Sequence, residues 1–171
     1  DAVNKLLIVG FTIVGLIALM ALLASWLAPY PLGHFDLTLR LQGPRPGYLL
    51  GLDEEGRDLL TLVLSGARLS LTIGILAVSL AAFLGILFGL VAGYRGGAWD
   101  KLFIFVTDVF LAFPSILLVI ALAAFWREGG LWSLIGILGG VGWVSYARIV
   151  RGQVLTLKER DFILAARVAG A

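Results

Sequence analysis

Four runs of the sequence, residues 6–28, 69–94, 102–126 and 131–147, are long, apolar and nearly free of charge. Each is close to the roughly 20 residues that carry a helix across a hydrocarbon core. A chain that sits in lipid has no water to satisfy its backbone polar groups, which leaves only helices and closed barrels as spanning structures. Barrel strands alternate apolar and polar residues over about ten positions, and these runs do not alternate. The fold class they predict is an all-α membrane protein, a polytopic transmembrane helix bundle. The composition agrees: 60% of residues are hydrophobic and 14% are charged, where soluble domains carry about a quarter charged residues. The first run is longer than the roughly 7 to 15 residues of a signal-peptide core and lacks a clear small-x-small cleavage site, so it reads as a retained span.

Lysine and arginine asymmetry sets the expected orientation. With the N-terminus on the cytoplasmic side, eight of the thirteen cations fall inside: Lys5, Arg95, Lys101, Arg148, Arg151, Lys158, Arg160 and Arg167. Arg40, Arg45, Arg57, Arg68 and Arg127 then fall outside, with most of the acidic residues. The net charge of +2 follows this topology and forms no patch for nucleic acid, so no nucleic-acid partner is expected. No low-complexity linker divides the chain, which reads as one transmembrane domain over 1–171. Its parts are an N-terminus and span over 1–28, an external loop over 29–68, spans over 69–94, 102–126 and 131–150, and a cytoplasmic segment over 151–171.

The external loop is punctuated by Pro29, Pro31, Gly33, Gly43, Pro44, Pro46 and Gly47, so its first half is expected to be irregular. Its second half, 58–66, sets Leu59, Leu60, Val63 and Leu64 at helical spacing and predicts a short helix lying on the membrane surface. In the second span, Gly85, Gly89 and Gly93 recur every fourth residue and leave one helix face bare, which allows another helix to approach closely. The fourth span carries Gly136, Gly139, Gly140 and Gly142, of which Gly136 and Gly140 have the same spacing. Asp108 lies seven residues beyond Lys101 within the third run; a carboxylate there is costly and should face protein, water or a cation rather than lipid. It lines a substrate path or is paired structurally, and the residues leave both open. Pro114 removes a backbone donor and is expected to bend the third span.

After the fourth span, Phe162, Ala165, Ala166 and Ala169 fall at i, i+3, i+4 and i+7, with Gly170 as a C-terminal stop. A stripe of alanine suits close docking against another protein better than insertion into lipid; a plain linker helix would have the same look. There is no cysteine, and His34 is the only histidine, so a metal site is not expected and His34 reads as a loop residue. No G-x-x-x-x-G-K-[ST] phosphate loop occurs, since Gly96 and Gly97 lack the lysine and hydroxyl it requires. Hydrolase and zinc motifs are also missing, so the chain carries no sign of an enzyme.

Read as text, Leu50-Gly51-Leu52-Asp53-Glu54-Glu55-Gly56-Arg57-Asp58 followed by Gly66-Ala67-Arg68-Leu69-Ser70-Leu71 resembles the L-G-T-D-x-x-G-R-D and G-A-R-x-S-L signature of one transporter family. Gly93-Tyr94-Arg95-Gly96-Gly97 with Asp100, then Asp108 with Leu111-Ala112-Phe113-Pro114-Ser115, follow in that family's order. The run Arg160-Asp161-Phe162 to Ala165-Ala166-Arg167-Val168-Ala169-Gly170-Ala171 is similar to the start of its cytoplasmic coupling loop. The family is the second permease of dipeptide, oligopeptide and nickel ABC importers. Leu52 stands where it usually has threonine, and Leu164 where the loop pattern has glutamate.

The resemblance implies a bundle of the ABC importer permease type with four of six expected spans present, the sequence being a piece that stops inside the coupling loop. It implies a pathway made with a second permease subunit, an external solute-binding protein, and two ATPase subunits that hold ATP and magnesium while this chain binds no cofactor. It places the chain in the cytoplasmic (inner) membrane of a prokaryote. The expected ATPase-coupling helix comprises Leu164, Ala165, Ala166, Arg167, Ala169 and Gly170. Asp108 and Pro114 are the candidates for pathway or coupling, and Asp53, Gly56, Arg57, Asp58 and Arg68 form the external signature segment. A secondary carrier or channel subunit, and a fragment that only binds partner subunits, are the alternatives.

Overall fold

The computed structural model describes residues 2–126 and 129–170, and within these the side chains of Ala2, Val3, Leu164, Ala166 and Arg167 lie outside the description. Among the described residues seven α-helices follow in order: α1 (Ala2–Leu22), α2 (Ala24–Leu27), α3 (Leu59–Arg95), α4 (Gly97–Leu111), α5 (Ser115–Phe125), α6 (Leu131–Lys158) and α7 (Asp161–Val168). No strand occurs among the described residues; two isolated bridges, Arg45 with Tyr48 and Leu52 with Asp58, are confined to the loop before α3. Three helices, and a fourth span if the bent pair α4–α5 counts as one, are long and apolar enough to cross a membrane. The chain divides into two compact units, Asp1–Thr72 and Ile73–Ala171.

In the first unit, α1 stops at Leu22, short of the expected end at residue 28, and one further turn of helix, α2, follows. The chain turns extended at Ala28 (φ −68°, ψ 119°) because the ring of Pro29 disfavours helical geometry in the residue before it. The loop over 29–58 holds itself together through backbone contacts. Asp36 N donates to Gly56 O at 2.8 Å, Leu52 N to Gln42 O at 2.9 Å, and Leu41 N to Asp53 O at 3.0 Å. Tyr30 stacks between His34 (ring centroids 4.8 Å apart) and Tyr48 (5.0 Å), which makes His34 a packing residue.

The expected surface helix over 58–66 is not a separate element. It is the beginning of α3, which runs without interruption for 37 residues. Nothing between Gly66 and Leu69 can stop a helix: there is no proline, and Gly66 stays helical. The third run bends at Pro114, as expected, and the bend is a break between two helices that are together long and apolar enough for one span. α4 starts at Gly97 and ends at Leu111, α5 starts at Ser115, and their axes diverge by 83°. Pro114 cannot donate to the carbonyl four residues back, and its ring excludes Phe113 from continuing the helix. Pro114 instead caps α5, its carbonyl accepting from Leu118 N at 3.1 Å. The helix of the fourth run, α6, continues well past the apolar residues to Lys158, since its polar extension contains no proline.

The core of the second unit gathers on Trp143 of α6 with Ala92, Phe103, Val144 and Ala147, flanked by Leu84, Val106 and Phe110. Phe88, Phe110 and Phe103 meet the Trp143 ring edge-on at centroid distances of 5.1, 5.7 and 6.4 Å. Each such pair adds about 0.5–1.5 kcal/mol to simple burial. In lipid, where burying hydrocarbon gains little, contacts of this kind carry much of the packing.

Candidate functional site

The segment from Gly51 to Asp58 is a structural knot whose residues serve one another. Asp53 Oδ1 accepts from the backbone N of Glu55 (2.9 Å) and Arg57 (2.8 Å), and its Oδ2 from Arg57 Nε (2.9 Å). Arg57 also reaches Glu55 at 3.0 Å. The backbone N–H of Arg57, then its guanidinium and the Glu55 N–H, hold the Asp53 carboxyl below the usual aspartate value; the Asp53 carboxylate in turn holds Arg57 up. Gly56 adopts φ +73°, and a β-carbon there would stand 2.2 Å from Asp36 O, so only glycine fits. Leu52 is buried at 3% exposure, an apolar plug in the loop.

Asp58 closes the knot and opens α3. It is 2% exposed, and its Oδ2 accepts from Thr61 N (2.8 Å) and Thr61 Oγ1 (2.7 Å), a helix N-cap. Its Oδ1 is buried without a hydrogen-bond partner among the described residues. Arg68 stands apart from the other signature residues and donates to Ser25 Oγ of α2. Four of the five signature residues therefore come together, and each has a structural task.

Asp108 and Pro114 come out differently. The Asp108 side chain is exposed on α4 and forms no ion pair or hydrogen bond among the described residues; the neighbouring Thr107 is buried and bonds Ile104 O at 3.0 Å. Pro114 marks the break that turns α5 against α6. Between α4, α5 and α6 lies a cavity of about 470 Å³ lined by Phe110, Leu122, Trp126, Trp132, Ser133, Gly136, Ile137 and Gly140. Its described lining is mostly apolar, with the Ser133 hydroxyl and the indole N–H groups of Trp126 and Trp132 as its polar groups.

The glycines of α3 act as the spacing implies. β-carbons at Gly85, Gly89 and Gly93 would meet α6 at Tyr146 (2.5 Å), Ala147 O (2.5 Å) and Val154 (2.8 Å). On α6 the partner glycine is not the expected pair: Gly136 and Gly140 have open space around them, whereas a β-carbon at Gly139 would stand 2.7 Å from Leu80. Helical spacing identifies a bare face without saying which of two faces the neighbour takes.

At the end of this contact the sequence reading missed a cluster. Asp100, in the first turn of α4, pairs with Arg151 of α6 through Nε to Oδ1 and through Nη2 to Oδ2 at 2.7 Å. Arg151 also lies over the Phe103 ring, 6.0 Å from its centroid. Lys158, at the end of α6, donates to Gly93 O (3.3 Å) and Tyr94 O (2.9 Å), the last carbonyls of α3. Fifty-one residues separate Asp100 from Arg151, and no local pattern marks partners so far apart.

After a two-residue link from α6, α7 covers Asp161–Val168, three residues earlier at its start than the expected helix over 164–170. Ala169 N bonds Ala165 O at 3.0 Å, and Gly170 takes φ +91°, the left-handed stop expected of it. Ala165 and Ala169 are exposed, as are Phe162 and Val168; the side chains expected at Leu164, Ala166 and Arg167 lie outside the described residues.

Known proteins share this arrangement of sequence. Residues 85–171, half of the chain, match the binding-protein-dependent transport system inner membrane component family, and residues 3–44 match the N-terminal TM domain of oligopeptide transport permease C. The oligopeptide transport system permease protein OppC of Bacillus subtilis is 38% identical over 98% of the chain and 55% of its own length. The di/tripeptide transport system permease protein DppC of Pseudomonas aeruginosa is 40% identical over 98% of the chain and 57% of its own length. The glutathione transport system permease protein GsiD of Escherichia coli is 41% identical over 91% of the chain and 52% of its own length. The chain spans about half the length of these curated relatives. The family match over residues 85–171, half of the chain, shows its membership: the chain belongs to the family of binding-protein-dependent transport system inner membrane components.

Proposed function

We propose that this chain forms part of the permease of an ATP-driven importer of peptides, with its N-terminus on the cytoplasmic side and α7 as the element that meets an ATPase. The observation that carries the reading is the agreement with oligopeptide, di/tripeptide and glutathione permeases along nearly the whole chain. The exposed face of α7, with Ala165 and Ala169 bare beside Phe162, supports it: small side chains let a helix backbone sit deep in a groove, and Gly170 ends the helix sharply. ATP and magnesium belong to two separate ATPase subunits, since this sequence has no phosphate loop. A second permease completes the pathway, and an external binding protein delivers the solute. Transport then follows a shift between two packings of the helices, biased by the ATPase state.

The test is reconstitution of the complete permease with its partner permease, its ATPases and its binding protein in liposomes. Labelled peptide should enter only with ATP. Uptake driven by an ion gradient without ATPase subunits would instead establish a secondary carrier, and uptake of nickel without peptide would move the substrate to the metal branch of the family.

A further inference from the structure

The α3–α4 turn and the end of α6 are joined at three points within the second unit. Gly93 has no side chain, and a β-carbon there would stand 2.8 Å from Val154 Cβ and 3.2 Å from Arg151 O, so the two helices already touch at that level. Lys158 then takes the Gly93 and Tyr94 carbonyls, which α3 leaves without internal partners at its end. Its ammonium also lies 5.9 Å from the Tyr94 ring centroid. Asp100 fixes the first turn of α4 to Arg151 by a two-pronged pair, the form of carboxylate recognition with the most angular definition. The turn between these anchors is tight: Gly96 and Gly97 both have positive φ, 65° and 57°.

The contacts on α6, at Arg151, Val154 and Lys158, all lie within its last eight residues, and α7 begins three residues beyond Lys158. A helix is a stiff rod, and Arg160 N to Leu157 O (3.1 Å) and Ile163 N to Arg160 O (2.9 Å) keep the link to α7 short.

We propose that Asp100, Arg151 and Lys158 are positioning residues that clasp the α3–α4 turn to the end of α6, so that a displacement of α7 moves α3 and α4 with α6 instead of bending the chain between them. The proposal rests on the importer reading, in which α7 is the element that an ATPase displaces. Glycine packing alone holds two helices in contact but lets them slide; the ion pair and the lysine cap define one register and one angle.

The experiment uses the complete reconstituted importer and reads two quantities separately, ATP hydrolysed and peptide taken up. Arg151→Gln, Asp100→Asn and Lys158→Gln should each assemble and hydrolyse ATP, with peptide uptake per ATP falling about fivefold or more, the lower end of ordinary coupling energies between sites. Arg151→Lys, which keeps the cation but loses the fork, should fall between these and the native ratio. A purely structural role would lower the amount of assembled complex and leave the ratio in what assembles unchanged; that result overturns the clasp. Should the neutral variants not assemble, Arg151→Lys carries the test, and a native ratio there overturns the proposal. A native importer with no ATP-driven uptake overturns the importer reading itself, so the two failures are distinct.

Discussion

A β-carbon built on Gly89 would stand 2.5 Å from the carbonyl oxygen of Ala147 and 2.9 Å from Cβ of Val150. α3 and α6 therefore meet backbone to backbone, and the obstacle to any side chain at residue 89 is a carbonyl in a helix, which cannot rotate away. Gly89→Ala should destabilise the protein by about 1–3 kcal/mol, the usual cost of overpacking. Gly136→Ala, with nothing within 4 Å, should stay within about 0.5 kcal/mol of native or gain slightly from helix propensity. Thermal unfolding of both variants in one detergent checks the contrast; equal losses would mean that the close approach is not the constraint.

The Gly56 position is a stricter case, because both its φ of +73° and the Asp36 carbonyl at 2.2 Å exclude a side chain. Gly56→Ala should open the loop before α3 at a cost of about 1–3 kcal/mol, the range for strained backbone. Limited proteolysis should then cut between residues 36 and 58 in the variant while the native loop resists.

Asp58→Ala removes the cap of α3 and leaves Thr61 N–H buried without an acceptor. A loss of about 1–2 kcal/mol is expected. Asp58→Asn, whose amide oxygen can take the same two bonds, should retain most of the stability. Amide exchange at Leu60 and Thr61 distinguishes them, rising in the alanine variant alone.

The hydrogen bonds that hold the Asp53 carboxyl below its ordinary value make the knot sensitive to acid. A depressed folded-state pKa means that the open loop binds more protons in acid than the closed one. The contribution is complete above the ordinary aspartate value of about 3.9 and is lost as pH falls below it toward the folded value. Protection of the Glu55 and Arg57 amides, measured by pulse-labelled exchange relative to the intrinsic rate at each pH, should fall across that window. In Asp53→Asn this loss of protection with acid should be absent at these two amides, although Asp36, which Thr38 holds down in the same way, continues to titrate nearby.

What could be read along the chain was whatever depends on local chemistry. Uninterrupted apolar runs have only one way to satisfy their backbone in lipid, so the all-helical membrane class followed without any contact being known. Pro114 and Pro29 end helices by their own covalent structure, and the every-fourth-residue spacing of Gly85, Gly89 and Gly93 defined a bare face that α6 occupies. The sequence also showed that Gly170 would end α7. Only the tertiary structure decided the rest. It chose Gly139 over Gly136 and Gly140 as the contact on α6, because helical spacing supplies several faces and a neighbour takes one. It turned Pro114 into an 83° break where composition allowed any bend. It made the conspicuous Asp108 solitary among the described residues and gave Asp100 its partner 51 residues away, since an ion pair needs two groups at one place in space and the chain records only their order.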